Sequence, residues 1–268
     1  MAIQINKSIG ILAGKIAAQY PCYPTPLQQI ADDELINVCY NHYGSSTFDG
    51  LTWFEKSTDD FYIHLNLDRN NSSKSHKGHF TFAHELGHYF IPRHRIGIMR
   101  GLLKPHKYIY GINKSSWQIE READEFASCL LMPEENFKKF VKGKNFSFEL
   151  IRELTARYVV SISAAAIRYA EIGCQPIMVV YAMDSKVRWV IRSDFFPYYR
   201  LRYGNAGSRV PENTVLGTYF YENDDNDCKS EEIVFAGDCF DIYHKEDNKK
   251  EFTEYCIPYK NHALSIFW

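Results

Sequence analysis

The stretch HFTFAHELGHYF, residues 79–90, carries three side chains that could do chemistry together: His84, Glu85 and His88. The two histidines are four residues apart, so on an α-helix they lie side by side, one turn apart. Two imidazoles placed in this way can each direct one nitrogen at a common metal ion. Glu85 lies about 100° further round the helix, where a base must lie to take a proton from a metal-bound water. The pattern therefore predicts a catalytic zinc site with Glu85 as its general base.

A catalytic zinc usually has three protein ligands, so a third residue is expected, and two candidates compete. The first is Glu120 in the segment EREADEF, where Asp124 follows it by four residues on the same helix face. Glu120 could bind the metal while Asp124 accepts a hydrogen bond from the far nitrogen of a ligating histidine. Glu122 points away from Glu120, and we expect it to be solvated or paired with a neighbouring Arg or Lys.

The second candidate is His94, which lies six residues after His88. This distance matches the histidines of the metzincin pattern H-E-x-x-H-x-x-G-x-x-H. The glycine of that pattern permits a sharp turn, whereas this chain has Ile91 there, and a branched side chain resists positive φ. Pro92 alters the turn further. These residues favour Glu120 over His94 without removing the alternative.

Helices and a hairpin must position these residues. Apolar spacing predicts helices at residues 6–20, within TPLQQIADDELINVCYNHYG, at 79–90 and over WQIEREADEFASCLLM. Thr25 is the expected N-cap of the second helix, and Pro92 is expected to end the third. Gly87 supplies no side chain, so another segment can approach the third helix closely. The runs LTWFE and FYIHL predict a hairpin, and we hypothesise that FYIHL offers an edge on which an extended substrate pairs.

The second half of the chain changes from helix to strand. Residues 147–158 and 163–171 predict a helical pair, and PIMVVYAM and VRWVIR predict a hairpin that turns at Asp184 and Ser185. The expected fold class is therefore α+β. We expect residues 1–173 to form a mixed helical zincin-like metallopeptidase domain with a small hairpin or sheet (core about 25–140, helical pair 147–172). We expect residues 174–268 to form a β-rich domain that could act as a sensor or a substrate-binding module.

Composition limits the classes of function. A hydrophobic fraction of 45%, a charged fraction of 24% and a net charge of −2 are typical of a globular protein without general attraction to nucleic acid or anionic membranes. No apolar run reaches 18 residues, and the start of the chain does not resemble a secretory signal. The seven cysteines include no CxxC pair, which favours a reducing cytoplasm over a disulfide framework.

Two motifs at the expected separation resemble a known family. FTFAHELGHYF followed by EREADEFASCLLMP resembles the ImmA/IrrE metallopeptidases, which pair an AHELGH helix with an E-x-x-A-[ND]-x-F-A-x-x-LLMP helix. DGLTWFE and FYIHLN are similar to the family's upstream hairpin, and VVSISAAAIRYAEIG is similar to its V-S-x-x-A-x-x-x-R-x segment, so the likeness covers about residues 25–173. One position departs from the pattern: residue 79, where the family often has Arg, is His.

The resemblance implies a gluzincin-like zinc endopeptidase with the metal ligands His84, His88 and Glu120 and the catalytic residue Glu85. It also implies a regulatory role, in a mobile element or a stress response, with a specific protein substrate such as a helix-turn-helix transcriptional repressor. Beyond zinc, the oxyanion needs a further donor, for which the candidates are His106, Tyr108 and Tyr110.

The alternative is a zinc-containing regulator that cleaves nothing and acts by binding DNA or, as in toxin–antitoxin pairs, another protein. Residues 148–172 could form a helix-turn-helix, but Arg152, Arg157 and Arg168 are too few for a basic surface, so DNA binding is not expected. In a third interpretation residues 174–268 sense a ligand and gate the protease. Glu85 favours an enzyme, because a structural metal site has no use for a carboxylate beside the metal.

Overall fold

The computed structural model describes residues 7–103, 117–197, 200–202, 206–222 and 231–268. The chain forms two compact units, the first comprising residues up to Phe137 together with Arg152–Ile162, and the second comprising Lys138–Ile151 and Ser163–Trp268. The predicted α+β class is confirmed, with a helical zincin-like part followed by a β-rich part. The predicted domain boundary near residue 174 stays a prediction. In the described ranges, every helix is too short or too polar to cross a membrane.

The first unit combines helices with a small sheet. It contains α1 (Lys7–Ala17), α2 (Leu27–Asp33), β1 (Asn37–Asn41), β2 (Gly50–Glu55), β3 (Asp60–Asn66), α3 (His76–Phe90), α4 (Pro92–Met99) and α5 (Trp117–Leu131). The central strand is β3, which is antiparallel to β2 and parallel to β1. The predicted hairpin is present, but the hypothesis that FYIHL offers an edge is wrong, because neighbours flank this strand on both sides. The outer strands are β1 and β2, and β2 packs against α3.

The second predicted helix is shorter than expected. It ends at Asp33, the backbone turns at Leu35 with φ 56°, and Asn37–Asn41 then pairs with β3 as a strand. Strand pairing with a distant segment outweighs the local helical pattern here. Thr25 is not an N-cap, because its hydroxyl donates instead to the backbone carbonyl of Leu130 at 3.1 Å.

Both ends of α3 follow from local chemistry. At its start the Ser75 hydroxyl accepts a hydrogen bond from the amide of Gly78 at 2.9 Å, as an N-cap does. At its end Ile91 has an extended backbone with φ −74° and ψ 113°, as expected for a residue before proline. Pro92 thus ends α3 as predicted, and it also occupies the first position of α4.

The close approach predicted at Gly87 is present between α3 and α5. A Cβ atom at Gly87 would lie 3.2 Å from the Cα atom of Ala123 and 3.1 Å from the ring of Phe126. The apolar side of α5, including Phe126 and Leu130, is fully buried, and Phe90 of α3 stacks on Phe126 with ring centroids 5.8 Å apart. The two helices that carry the predicted site are therefore packed directly on each other.

Three helices follow α5 and contribute residues to both units: α6 (Glu134–Val141), α7 (Phe148–Tyr158) and α8 (Ile162–Ile172). The rest of the second unit comprises β4 (Met178–Met183), β5 (Lys186–Arg192), β6 (Arg200–Leu201), α9 (Val215–Tyr221), β7 (Glu231–Phe235), α10 (Ala236–Cys239), β8 (Phe240–Asp241), β9 (Glu251–Tyr259) and β10 (His262–Phe267). An antiparallel sheet has the order β5-β4-β10-β9-β7, and β6 pairs with β8. Asp184 and Ser185 both have positive φ, 52° and 58°, so the predicted hairpin turns as expected.

A carboxylate lies inside the apolar core of the second unit. Glu254 of β9 is 0% exposed. Its Oε1 atom accepts from the Ser265 hydroxyl at 2.5 Å and from the amide of Leu216 at 3.2 Å, and its Oε2 atom accepts from the amide of Val215 at 2.8 Å. Burial raises the pKa of Glu254 to about 7, although these hydrogen bonds oppose the rise. The side chain ties the start of α9 to the sheet.

Candidate metal centre

His84 and His88 lie on consecutive turns of α3 and direct the same ring nitrogen at a common point. Their Nε2 atoms are 3.1 Å apart. Both side chains are buried, with 0% and 4% of the residue surface exposed. The helical spacing therefore brings the two imidazoles together as the sequence predicts.

Glu120 of α5 completes this cluster. Its Oε2 atom lies 3.3 Å from His84 Nε2, and its Oε1 atom lies 3.9 Å from His88 Nε2. One ligand atom from each of the three residues lies within 4.8 Å of the others. Both carboxylate oxygens of Glu120 are buried, and neither accepts a geometrically sound hydrogen bond within the described ranges. Buried carboxylate oxygens need either a hydrogen-bond donor or a cation as a partner.

Asp124 lies one turn further along α5, on the far side of His84. Its Oδ1 atom is 2.8 Å from His84 Nδ1, and because a carboxylate only accepts, the Nδ1–H group is the donor. In the neutral ring this hydrogen bond places the single proton on Nδ1 and leaves Nε2, which is directed at Glu120 and His88, able to bind a cation. The geometry is that of a carboxylate which fixes the tautomer of a metal-binding histidine.

The electrostatics of the cluster favour a positive charge at its centre. Burial alone would lower the pKa of His84, but the carboxylates of Asp124 and Glu120 outweigh it and raise this pKa to about 10. A site with this property stabilises either a proton or a metal cation. Two imidazole nitrogens and a carboxylate form a donor set that suits zinc. The residues present therefore fit a divalent metal.

Glu85 lies beside the three converging residues and outside their group. It is 2% exposed, and its Oε2 atom accepts a hydrogen bond from the Thr52 hydroxyl at 2.7 Å. Burial raises the pKa of Glu85 to about 7, whereas the charge of His84 and the Thr52 hydrogen bond act in the opposite direction. A carboxylate with a pKa near neutrality can both accept and return a proton.

The competing ligand His94 directs its Nε2 atom at a different carboxylate. Its Nε2 atom lies 3.0 Å from Glu122 Oε2, and the two residues are only 1% and 5% exposed. The prediction that Glu122 is solvated is therefore wrong, although the expected basic neighbour is present as Arg93. The reason is α4, which begins at Pro92 and brings Arg93 and His94 onto the side of α5 that carries Glu122.

The remaining residues of interest are the oxyanion candidates, His79 and one residue that the sequence did not predict. His106, Tyr108 and Tyr110 lie outside the described residues. His79, at the position where the resembled family often has Arg, donates from Nδ1 to the backbone carbonyl of Val159 at 3.2 Å. Thr52 was not predicted as a site residue. The alternation of side chains along a strand places Thr52 and Phe54 on the same face of LTWFE. It does not reveal that this face packs against Glu85.

Comparison with known proteins places these features in context. Residues 36–169, half of the chain, match the family model Peptidase_M78, the IrrE N-terminal-like domain. Metallopeptidase ImmA of Bacillus subtilis (strain 168) is 29% identical over 104 residues, which are 39% of this chain and 52% of that protein. The chain therefore spans about half the length of this curated relative. A solved structure, described as a Mycobacterium tuberculosis transcriptional regulator, is similar in fold with a TM-score of 0.59 and 12% identity, covering 97% of this chain and 75% of that one.

Proposed function

We propose that this chain, which belongs to the Peptidase_M78 family of IrrE N-terminal-like domains, is a zinc-dependent endopeptidase of the HExxH type. Its substrate would be a regulatory protein. The observation that carries this proposal is the convergence of His84, His88 and Glu120, whose ligand atoms lie within 4.8 Å of one another. Glu85 lies buried beside them, where a structural metal site would need no further carboxylate.

His84, His88 and Glu120 would hold the zinc ion, and Asp124 would keep His84 in the tautomer that presents Nε2. Bound there, zinc would supply a Lewis acid that polarises the scissile carbonyl and lowers the pKa of water towards neutrality. His84, His88 and the carboxylate oxygens of Glu120 are buried, which limits competing hydration and strengthens the electrostatic interactions in the site.

Glu85 supplies the proton transfers. It would accept the proton that the attacking water loses and return it to the leaving amine. Because Glu85 lies outside the ligand cluster, its replacement by a neutral side chain of similar shape should leave metal binding intact.

The sheet offers a place for an extended peptide. Among the described strands, β2 pairs only with β3, so its other edge has no strand partner, and α3 packs against the same strand. An extended substrate could add to this edge through main-chain hydrogen bonds. Cleavage of a helix-turn-helix repressor in the cytoplasm is supported by the ImmA/IrrE motifs in the sequence.

Co-expression with a panel of helix-turn-helix repressors tests the proposal. We expect at least one repressor to yield two defined fragments, identified by mass spectrometry, in the presence of the wild-type chain. With purified proteins, a chelator should stop fragment formation and added zinc should restore it. Inactivation of a repressor without fragments, insensitive to the chelator, would instead favour regulation by binding.

A further inference from the structure

Thr52 of β2 contributes a hydroxyl group that contacts both the backbone carbonyl and the side-chain carboxylate of Glu85 in α3. The Thr52 Oγ1 atom lies 2.7 Å from Glu85 Oε2 and 3.0 Å from the backbone carbonyl oxygen of Glu85. We propose that Thr52 is a positioning residue for the Glu85 carboxylate. This role rests on the proposed function, because it acts through the general base.

The hydroxyl of Thr52 is well placed to restrict the Glu85 side chain. Thr52 is 5% exposed and lies in a regular strand, opposite Ile63 of β3, and its branched Cβ atom limits rotation about χ1. Its single proton can be donated to either oxygen of Glu85 that it contacts. When the proton is donated to Oε2, at the shorter of the two distances, the hydrogen bond holds this oxygen against the strand and fixes the direction of the other carboxylate oxygen.

That second oxygen, Oε1, lies against Gly50. A Cβ atom at Gly50 would be 2.5 Å from Glu85 Oε1 and 2.8 Å from Glu85 Cγ, too close for any side chain without movement of the carboxylate. Thr52 therefore engages one oxygen, and the absence of a side chain at Gly50 makes room for the other. We assign the proton transfer to Oε1, since the described hydrogen bonds engage only Oε2.

The start of β2 is also fixed relative to α3. Asp49 is 0% exposed and precedes β2 directly. Its Oδ1 atom accepts from Lys77 of α3 at 2.5 Å, from Arg69 at 2.9 Å and from Asn71 at 3.0 Å. An ion pair between the first turn of α3 and the residue before β2 holds the two elements in register, so Thr52 stays opposite Glu85.

Thr52→Val and Thr52→Ser form a matched pair for the test. Valine keeps the shape and removes the hydroxyl, whereas serine keeps the hydroxyl. At equal zinc content we expect Thr52→Val to lower kcat about ten- to a hundredfold, with KM little changed, and Thr52→Ser to retain most of the wild-type kcat. Equal losses in both variants would overturn the positioning role, because a purely structural effect of the substitution would then explain them.

A second measurement does not depend on catalysis. Urea unfolding of the wild type, Thr52→Val, Glu85→Met and the double variant forms a double-mutant cycle. Either single substitution already removes the hydrogen bond to the carboxylate, so the double variant cannot lose it again. We therefore expect the effects of the two single substitutions on the unfolding equilibrium constant to differ from additivity by about tenfold or more. Additive effects, together with wild-type kcat in Thr52→Val, would overturn the inference. Coupling in a protein that cleaves no repressor would refute the proposed function while upholding the Thr52–Glu85 contact.

Discussion

His94 and Glu122 meet in the interior of the first unit, with His94 Nε2 3.0 Å from Glu122 Oε2. The contact joins α4 to α5, and the ring of His94 also packs against that of His88 with centroids 5.2 Å apart. His94 therefore supports the neighbourhood of the candidate metal site while its Nε2 atom is engaged by a different carboxylate.

This arrangement predicts opposite effects for two alanine substitutions. Glu120→Ala should reduce the zinc content from about one ion per chain to a small fraction, because the proposed third ligand is lost. His94→Ala should retain zinc but lower the free energy of unfolding by on the order of 1–3 kcal/mol, since a buried carboxylate loses a hydrogen-bond partner. Elemental analysis and urea unfolding measure the two effects. Retention of zinc by Glu120→Ala with loss in His94→Ala would reverse the assignment of the third ligand.

Gly50→Ala should impair cleavage without unfolding the protein. The new methyl group would lie 2.5 Å from Glu85 Oε1 and 2.7 Å from Thr81 Cγ2, so both the carboxylate and Thr81 must move. We expect kcat to fall about ten- to a hundredfold with zinc content preserved. Gly14→Ala is the matched control, because a Cβ atom there meets nothing within 4 Å, and its activity should equal that of the wild type. Wild-type activity in Gly50→Ala would show that the Glu85 position is not critical.

Glu254 should make the stability of the second unit depend on pH. Its pKa is raised from 4.5 to about 7 in the folded chain, so its contribution is fully present below the unfolded pKa and is lost as pH rises through the folded one. Between pH 5 and pH 8 this loss should be on the order of 2–3 kcal/mol. Urea unfolding at both values should show a smaller decline for Glu254→Gln than for the wild type. Identical declines in the two proteins would contradict this account of the buried carboxylate.

Local patterns predicted much of the fold and of the candidate site. The four-residue spacing of His84 and His88 needs only an α-helix, and the hairpin at Asp184 and Ser185 needs only two adjacent residues that accept positive φ. The family motifs supplied Glu120, whose approach to α3 depends on the bare backbone of Gly87.

The features that were missed depend on distant partners. The segment NVCYN forms β1 because β3 is available to pair with it, which no periodicity within the segment can reveal. Glu122 is buried because α4 covers it, and this short helix was not expected after Pro92. Thr52 and Glu85 are 33 residues apart in the chain, so their contact depends on how β2 packs against α3.

The most direct test of the central claim compares the wild type with Glu85→Gln. Glutamine has nearly the same shape and does not alter the ligand cluster, so the zinc content should match the wild type, and urea unfolding should show a cooperative transition of a folded protein. An amide cannot accept the proton of the attacking water, so the rate of repressor cleavage should fall by on the order of 10²–10⁴. If a zinc-loaded Glu85→Gln protein cleaves the repressor at the wild-type rate, Glu85 is not the general base and the proposed mechanism is wrong.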